Sequence, residues 1–115
     1  MRALLLLVLL APASWAAEAS SERQVGFGLM VAQKGLWQEA RFRFERAVEL
    51  DPKNAAALND LAVSLEQVGE FDKARECYEK ALALKPNDAY IQQNFDLFRE
   101  ADDKRNRKSR RKKQP

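Results

Sequence analysis

Along most of this chain apolar residues recur at spacings of three and four, the period of amphipathic helices. The pattern predicts five of them. The first runs from Ser21 to Lys34, with Val25, Leu29 and Ala32 on one stripe and Phe27, Met30 and Val31 on a second. Gly35 ends it, because glycine accepts the left-handed conformation that other residues resist. The second runs from Gln38 to Leu50, with Ala40, Phe44, Ala47 and Val48 facing inward. Asp51-Pro52 stops it, since proline lacks the amide hydrogen and disfavours helix at the residue before it. The third spans about Asn54 to Val68, carries Leu58, Leu61, Ala62 and Leu65, and gives way at Gly69. The fourth runs from Asp72, a suitable cap, to Leu84, with Ala74, Tyr78, Ala81 and Leu82 inward and Pro86 closing it. The fifth starts near Asn87-Asp88, places Ile91, Phe95 and Phe98 on one face, and fades after about Asp103. No segment alternates strictly as a half-buried strand does.

The helices repeat. Shifted by 34 residues, Gly35 falls on Gly69, Ala40 on Ala74, Arg41 on Arg75, Glu45 on Glu79, Ala47 on Ala81, Leu50 on Leu84 and Pro52 on Pro86. Similar residues fill in between: Trp37 with Phe71, Phe44 with Tyr78, Arg46 with Lys80, Val48 with Leu82. A fixed period of this length means stacked helical hairpins rather than one globular core. The alanines let helix axes approach closely. Trp37, Phe44, Phe71 and Tyr78 supply apolar area that a single hairpin cannot bury.

These residues resemble the tetratricopeptide repeat over Ser21 to about Arg99. One copy reads Phe27-Gly28, Gly35, Trp37, Ala40, Phe44, Ala47, Pro52, and the other Leu61-Ala62, Gly69, Phe71, Ala74, Tyr78, Ala81, Pro86. The resemblance implies an all-α fold of antiparallel helix-turn-helix repeats, a short right-handed α-solenoid of two repeats (21–54 and 55–88) plus a C-terminal capping helix (89–103). Arrays of this kind usually need about three units for stability, so a short one leaves apolar ends and room for self-association.

Charge divides the chain further. From Ala17 to Phe98 there are ten cations against fourteen carboxylates, a net of −4; from Arg99 to Pro115 there are nine against three, a net of +6. The basic end, residues 104–115, reads as a disordered tail carrying Lys104, Arg105, Arg107, Lys108, Arg110, Arg111, Lys112 and Lys113, with no apolar residue to pack. It suits an anionic membrane or envelope surface, or an acidic partner, better than nucleic acid, since no aromatic is interleaved to stack on bases. At the other end, Met1-Arg2, an apolar run from Ala3 to Ala11, and Ser14-Trp15-Ala16 read as a signal peptide over residues 1–16. Nine apolar residues before Pro12 fall short of the roughly 20 a spanning helix needs. The expectation is an exported protein, periplasmic or secreted.

Catalysis is not expected. There is no histidine, which removes the commonest general base and metal ligand. The single cysteine, Cys77, has no partner for an internal disulfide and reads as a partly buried helix residue. No cofactor or metal is implied. In the tetratricopeptide family the first helix of each pair lines a concave groove, and the resemblance places Val25, Leu29, Asn59, Asp60, Val63, Gln67, Gln93, Asn94 and Leu97 there, with Gln33, Glu66 and Tyr90 beside them. Asn59, Val63 and Gln67 lie four apart on one helix face. Some family members grip a partner's C-terminal carboxylate with groove cations; the corresponding places here hold Val25, Leu29, Asp60, Tyr90 and Asn94, and none is a cation. The function implied is a non-enzymatic scaffold or adaptor that holds a protein or peptide segment in the groove, the alternative being a surface binder acting through the basic tail.

Overall fold

A computed structural model describes residues 13–115. Its five elements are all α-helices: α1 Ala13–Gln33, α2 Trp37–Leu50, α3 Ala55–Gln67, α4 Phe71–Leu84 and α5 Ala89–Lys112. α1 pairs with α2 and α3 with α4 as hairpins; α2 then packs on α3, and α5 lies against both α3 and α4. The result is a helical repeat solenoid. Most of the expected signal peptide, Met1 to Pro12, lies outside the described residues; Ala13 to Ala16 form the start of α1.

The breaks between helices follow the local chemistry. Gly35 and Gly69 sit at φ +75° and +81°, the left-handed region where glycine carries no Cβ penalty. Leu36 N–H and Glu70 N–H each reach back to the helix just ended, bonding Val31 O and Leu65 O. Asn54 caps α3 by accepting from Ala57 N–H, and Asp88 caps α5 by accepting from Tyr90 and Ile91 N–H. Asp72 is not a cap. α4 begins at Phe71, so Asp72 lies within its first turn, where a carboxylate favours the positive end of the helix dipole.

The core is a column of matched residues from successive hairpins. Ala40, Ala47, Ala62, Ala74 and Ala81 are completely buried and allow the helices to meet closely. Phe44, Tyr78 and Phe98 fill the layers between them and are no more than 2% exposed. Burying each such ring contributes about 1.5–3 kcal/mol. Tyr78 stacks on Phe95 at 5.6 Å and meets Phe98 at 5.5 Å, so α5 closes the second hairpin. On α1, however, Val31 is buried while Phe27 and Met30 of the same predicted stripe are 42% and 55% exposed. They face the open end of the array, where no hairpin precedes them among the described residues. Gly28 is buried under Phe44, and a Cβ there would stand 2.5 Å from the ring.

The largest departure from the sequence reading is at the C-terminus. The basic segment expected to be disordered is helical as far as Lys112. The stripe Ile91, Phe95, Phe98 continues at the same spacing with Asp102 and Arg105. Arg75 of α4 donates to Asp102 at 2.8 Å, Arg105 pairs with Asp102 at 3.2 Å, and the Arg105 guanidinium lies 3.6 Å over the Phe71 ring. A polar clamp thus replaces apolar packing for the last docked turn. Beyond it no glycine or proline interrupts, lysine and arginine are good helix formers, and cations in the last turn suit the negative end of the dipole.

Candidate functional site

α1, α3 and α5 lie side by side, α1 touching α3 and α3 touching α5, so their outward residues share one side of the array. Residues at the same repeat position line up across it. Leu29, Val63 and Leu97 are successive members at intervals of 34 residues. Leu29 and Leu97 are 45% and 59% exposed, and Val63 is half-buried. Tyr90, two turns before Leu97 on α5, is 65% exposed. The residues one turn earlier are Val25, Asn59 and Gln93, and the next column is Gly26, Asp60 and Asn94.

The sequence matches this architecture. A sequence profile of the tetratricopeptide repeat covers residues 32–93, which is more than half of the chain. The chain belongs to the tetratricopeptide repeat family. An uncharacterized protein of Methanocaldococcus jannaschii is 32% identical over 69 residues, covering 60% of this chain and 80% of that one. Mouse protein O-mannosyl-transferase TMTC3 is 32% identical over 72 residues, 63% of this chain but only 8% of that protein. Human aspartyl/asparaginyl beta-hydroxylase is 32% identical over 60 residues, 52% of this chain and 8% of the enzyme. The chain therefore spans less than a tenth of either enzyme's length. Among solved structures, the tetratricopeptide domain of Sgt2 from Aspergillus fumigatus superposes with a TM-score of 0.68 at 15% identity, covering 84% of this chain and 83% of that one. A point mutant of MamA superposes with a TM-score of 0.63 at 22% identity, over 77% of this chain and 67% of that one. These two show the fold.

The residues expected to line the groove differ in exposure. Leu29, Gln67, Gln93 and Leu97 are exposed, and Asp60, Val63 and Asn94 are half-buried at the surface. Val25 is half-buried against the core. Asn59 corrects the sequence reading: it is 1% exposed and not an open face residue. Its Oδ1 accepts from Asn94 Nδ2 at 3.1 Å, and its Nδ2 donates to Asp60 Oδ1 at 3.3 Å. Asn59 thus ties α3 to α5 from beneath this face and leaves Asp60 at the end of the chain of bonds. Burial pushes the Asp60 carboxyl up to about 6, although the bond from Asn59 acts in the other direction. Glu66 is also engaged from below, accepting from the buried Tyr78 hydroxyl. Burial and that bond push the Tyr78 phenol up.

Arg41 and Arg75 match in the repeat, but the match alone does not give their role. Arg41 donates to Glu70 at 2.8 Å and Arg75 to Asp102 at 2.8 Å. Each arginine reaches from the second helix of one unit to the unit that follows. The identity at a 34-residue spacing was the available signal. Cys77 is half-buried, touches both parts of the core, and burial pushes its thiol up, away from the reactive thiolate. No described helix is long and apolar enough to cross a membrane.

Proposed function

We propose that this protein is a non-enzymatic protein–protein interaction module that holds a partner segment along the concave face of α1, α3 and α5. The observation that carries the reading is the ladder Leu29, Val63, Leu97. Val63 also packs against the core, but a surface residue is free to be polar, and the first and last members, Leu29 and Leu97, are aliphatic with about half of their area in water. Tyr90 extends the apolar strip on α5, and tyrosine is favoured in binding surfaces for its large area at low entropic cost. Replacing Leu29 and Leu97 together by alanine is expected to weaken partner capture with circular dichroism and melting unchanged. Capture equal to the parent's would place the contact elsewhere.

A second reading, a peripheral surface binder, draws support from the helical C-terminus. Lys104, Arg107, Lys108 and Arg111 follow at i, i+3, i+4 and i+7 along one side of α5, a preformed cationic stripe suited to an anionic membrane or envelope. Deletion of Asn106 to Pro115, which spares the Arg105 clamp, separates the readings: it abolishes attachment to anionic vesicles under this one and spares partner capture under the first. We further propose that the protein acts outside the cytoplasm after removal of residues up to about Ala16. Trp15, Ala16, Glu18 and Ala19 are exposed, so a cut in this stretch falls between residues open to a protease. Amino-terminal sequencing of native protein that found Met1 intact would overturn the proposal.

A further inference from the structure

Asp60 and Asp102 are both half-buried carboxylates, and the fold treats them differently. Asp102 is met by two guanidinium groups, Arg75 at 2.8 Å and Arg105 at 3.2 Å. Asp60 has no cation within ion-pair distance among the described residues; its hydrogen bond comes from the neutral amide of Asn59. A carboxylate offers about four acceptor positions, and Asn59 takes one. Burying an anion without a counter-charge is costly, and the raised Asp60 pKa is the sign of that cost. No neighbouring charge relieves it: burial and the Asn59 bond are the influences on its carboxyl. Tyr78 on α4, whose phenol feels the Asp60 charge, and the Glu66 and Tyr90 groups that act on that same phenol are acidic or neutral. No lysine or arginine stands at any of the groove positions of α1, α3 and α5 described above.

Resting on the groove reading, we infer that the partner segment carries a lysine or arginine flanked by apolar residues, and that its cation seats on Asp60 while its apolar neighbours lie on Leu29, Val63 and Leu97. Charge complementarity selects the cation. A charge-assisted hydrogen bond to a desolvated carboxylate is about twice as strong as a neutral one, so the occupant supplies what the fold withholds. The apolar ladder selects against the protein's own basic segment. Lys104 to Lys113 has no apolar residue and would leave Leu29 and Leu97 uncovered. A metal ion is not indicated, since no group of at least three histidine, cysteine or carboxylate ligands is gathered among the described residues.

The test is a surface array of blocked random decapeptides probed with the full chain, with the Lys104–Lys113 sequence included as one spot. The strongest binder is then resynthesised with its cation replaced by norleucine. Titrations use the parent, Asp60→Asn, the pair Tyr90→Ala/Leu97→Ala, and Glu79→Gln on the outer face of α4 as a charge control. The inference predicts binders with lysine or arginine beside apolar residues. It predicts losses of about tenfold to a hundredfold for norleucine and for Asp60→Asn, with little further loss when the two are combined and none for Glu79→Gln. Binders without a cation, lost with Tyr90→Ala/Leu97→Ala but kept by Asp60→Asn, would overturn the inference and leave the groove reading standing. Binders indifferent to both variants, or no binders at all, would overturn both. The Lys104–Lys113 spot as strongest binder would overturn the inference in favour of a second copy as occupant.

Discussion

Two glycines of α1 show how much depends on single positions. A Cβ at Gly28 would stand 2.5 Å from the Phe44 ring, whereas one at Gly26 meets nothing within 4 Å. Gly28→Ala is expected to cost about 1–3 kcal/mol through overpacking. Gly26→Ala is expected to gain about 0.5–1 kcal/mol, since the helix interior needs no glycine there. Urea unfolding of the two variants checks both signs at once. The second hairpin has Ala62 where the first has Gly28, so the repeat pattern located the crossing but not the tighter approach of Phe44.

Asp60 adds a prediction with a pH sign. Its folded pKa, about 6, lies above the ordinary aspartate value near 3.9. The folded state therefore holds the proton more tightly, and ionisation opposes folding. The group favours folding most below about pH 4; that contribution is lost as pH rises through 6 and is constant above it. Asp60→Asn is expected to stabilise the protein at pH 7.5 and to have little effect at pH 4, read as the melting shift at the two values. Asn59→Ala should do the opposite at any pH, costing about 1–3 kcal/mol because it strands Asp60 and Asn94.

At the scale of the helices, the decisive point is where α5 stops being docked. Asp102 and Arg105 hold its last packed turn, and the Arg75 and Arg105 guanidiniums hold the Asp102 carboxyl below the usual range, Arg75 foremost. Its stabilising contribution is present above the ordinary aspartate pKa and is lost as pH falls through the lowered folded value. Deleting Asn106 to Pro115 is expected to leave thermal stability unchanged. Deleting Lys104 to Pro115, which takes Arg105 off Phe71, is expected to lower it by about 0.5–2 kcal/mol. Arg105 also changes the standing of Phe71: the ring is half-buried beneath a guanidinium, so Phe71→Ala should cost less than the ~3–5 kcal/mol of a fully buried phenylalanine.

The sequence made the helices, their glycine ends and the Ala–aromatic layers legible because each has a periodic or local signature. The clamp was not legible. Asp102, Arg75 and Arg105 are three surface-type residues that meet only in space, and a run of cations has the composition of disorder. Asn59 was misread for a related reason. An asparagine at a groove position reads as a free donor and acceptor, and only the Asn94 and Asp60 partners show that it is used from below.

For the whole molecule, the central claim is that the concave face of α1, α3 and α5 is the working surface. The measurement that tests it most directly is site-specific photocrosslinking in the native compartment. A photoreactive residue is placed at Leu97 or Gln93 in the groove, at Glu79 on the outer face of α4, or at Ser109 on the basic helix. All four side chains are exposed, so the substitutions leave the core intact. A working groove predicts one discrete crosslinked partner from Leu97 and Gln93 and none from Glu79 or Ser109. A partner crosslinked from Glu79 or Ser109 alone, with Leu97 and Gln93 silent, would contradict it.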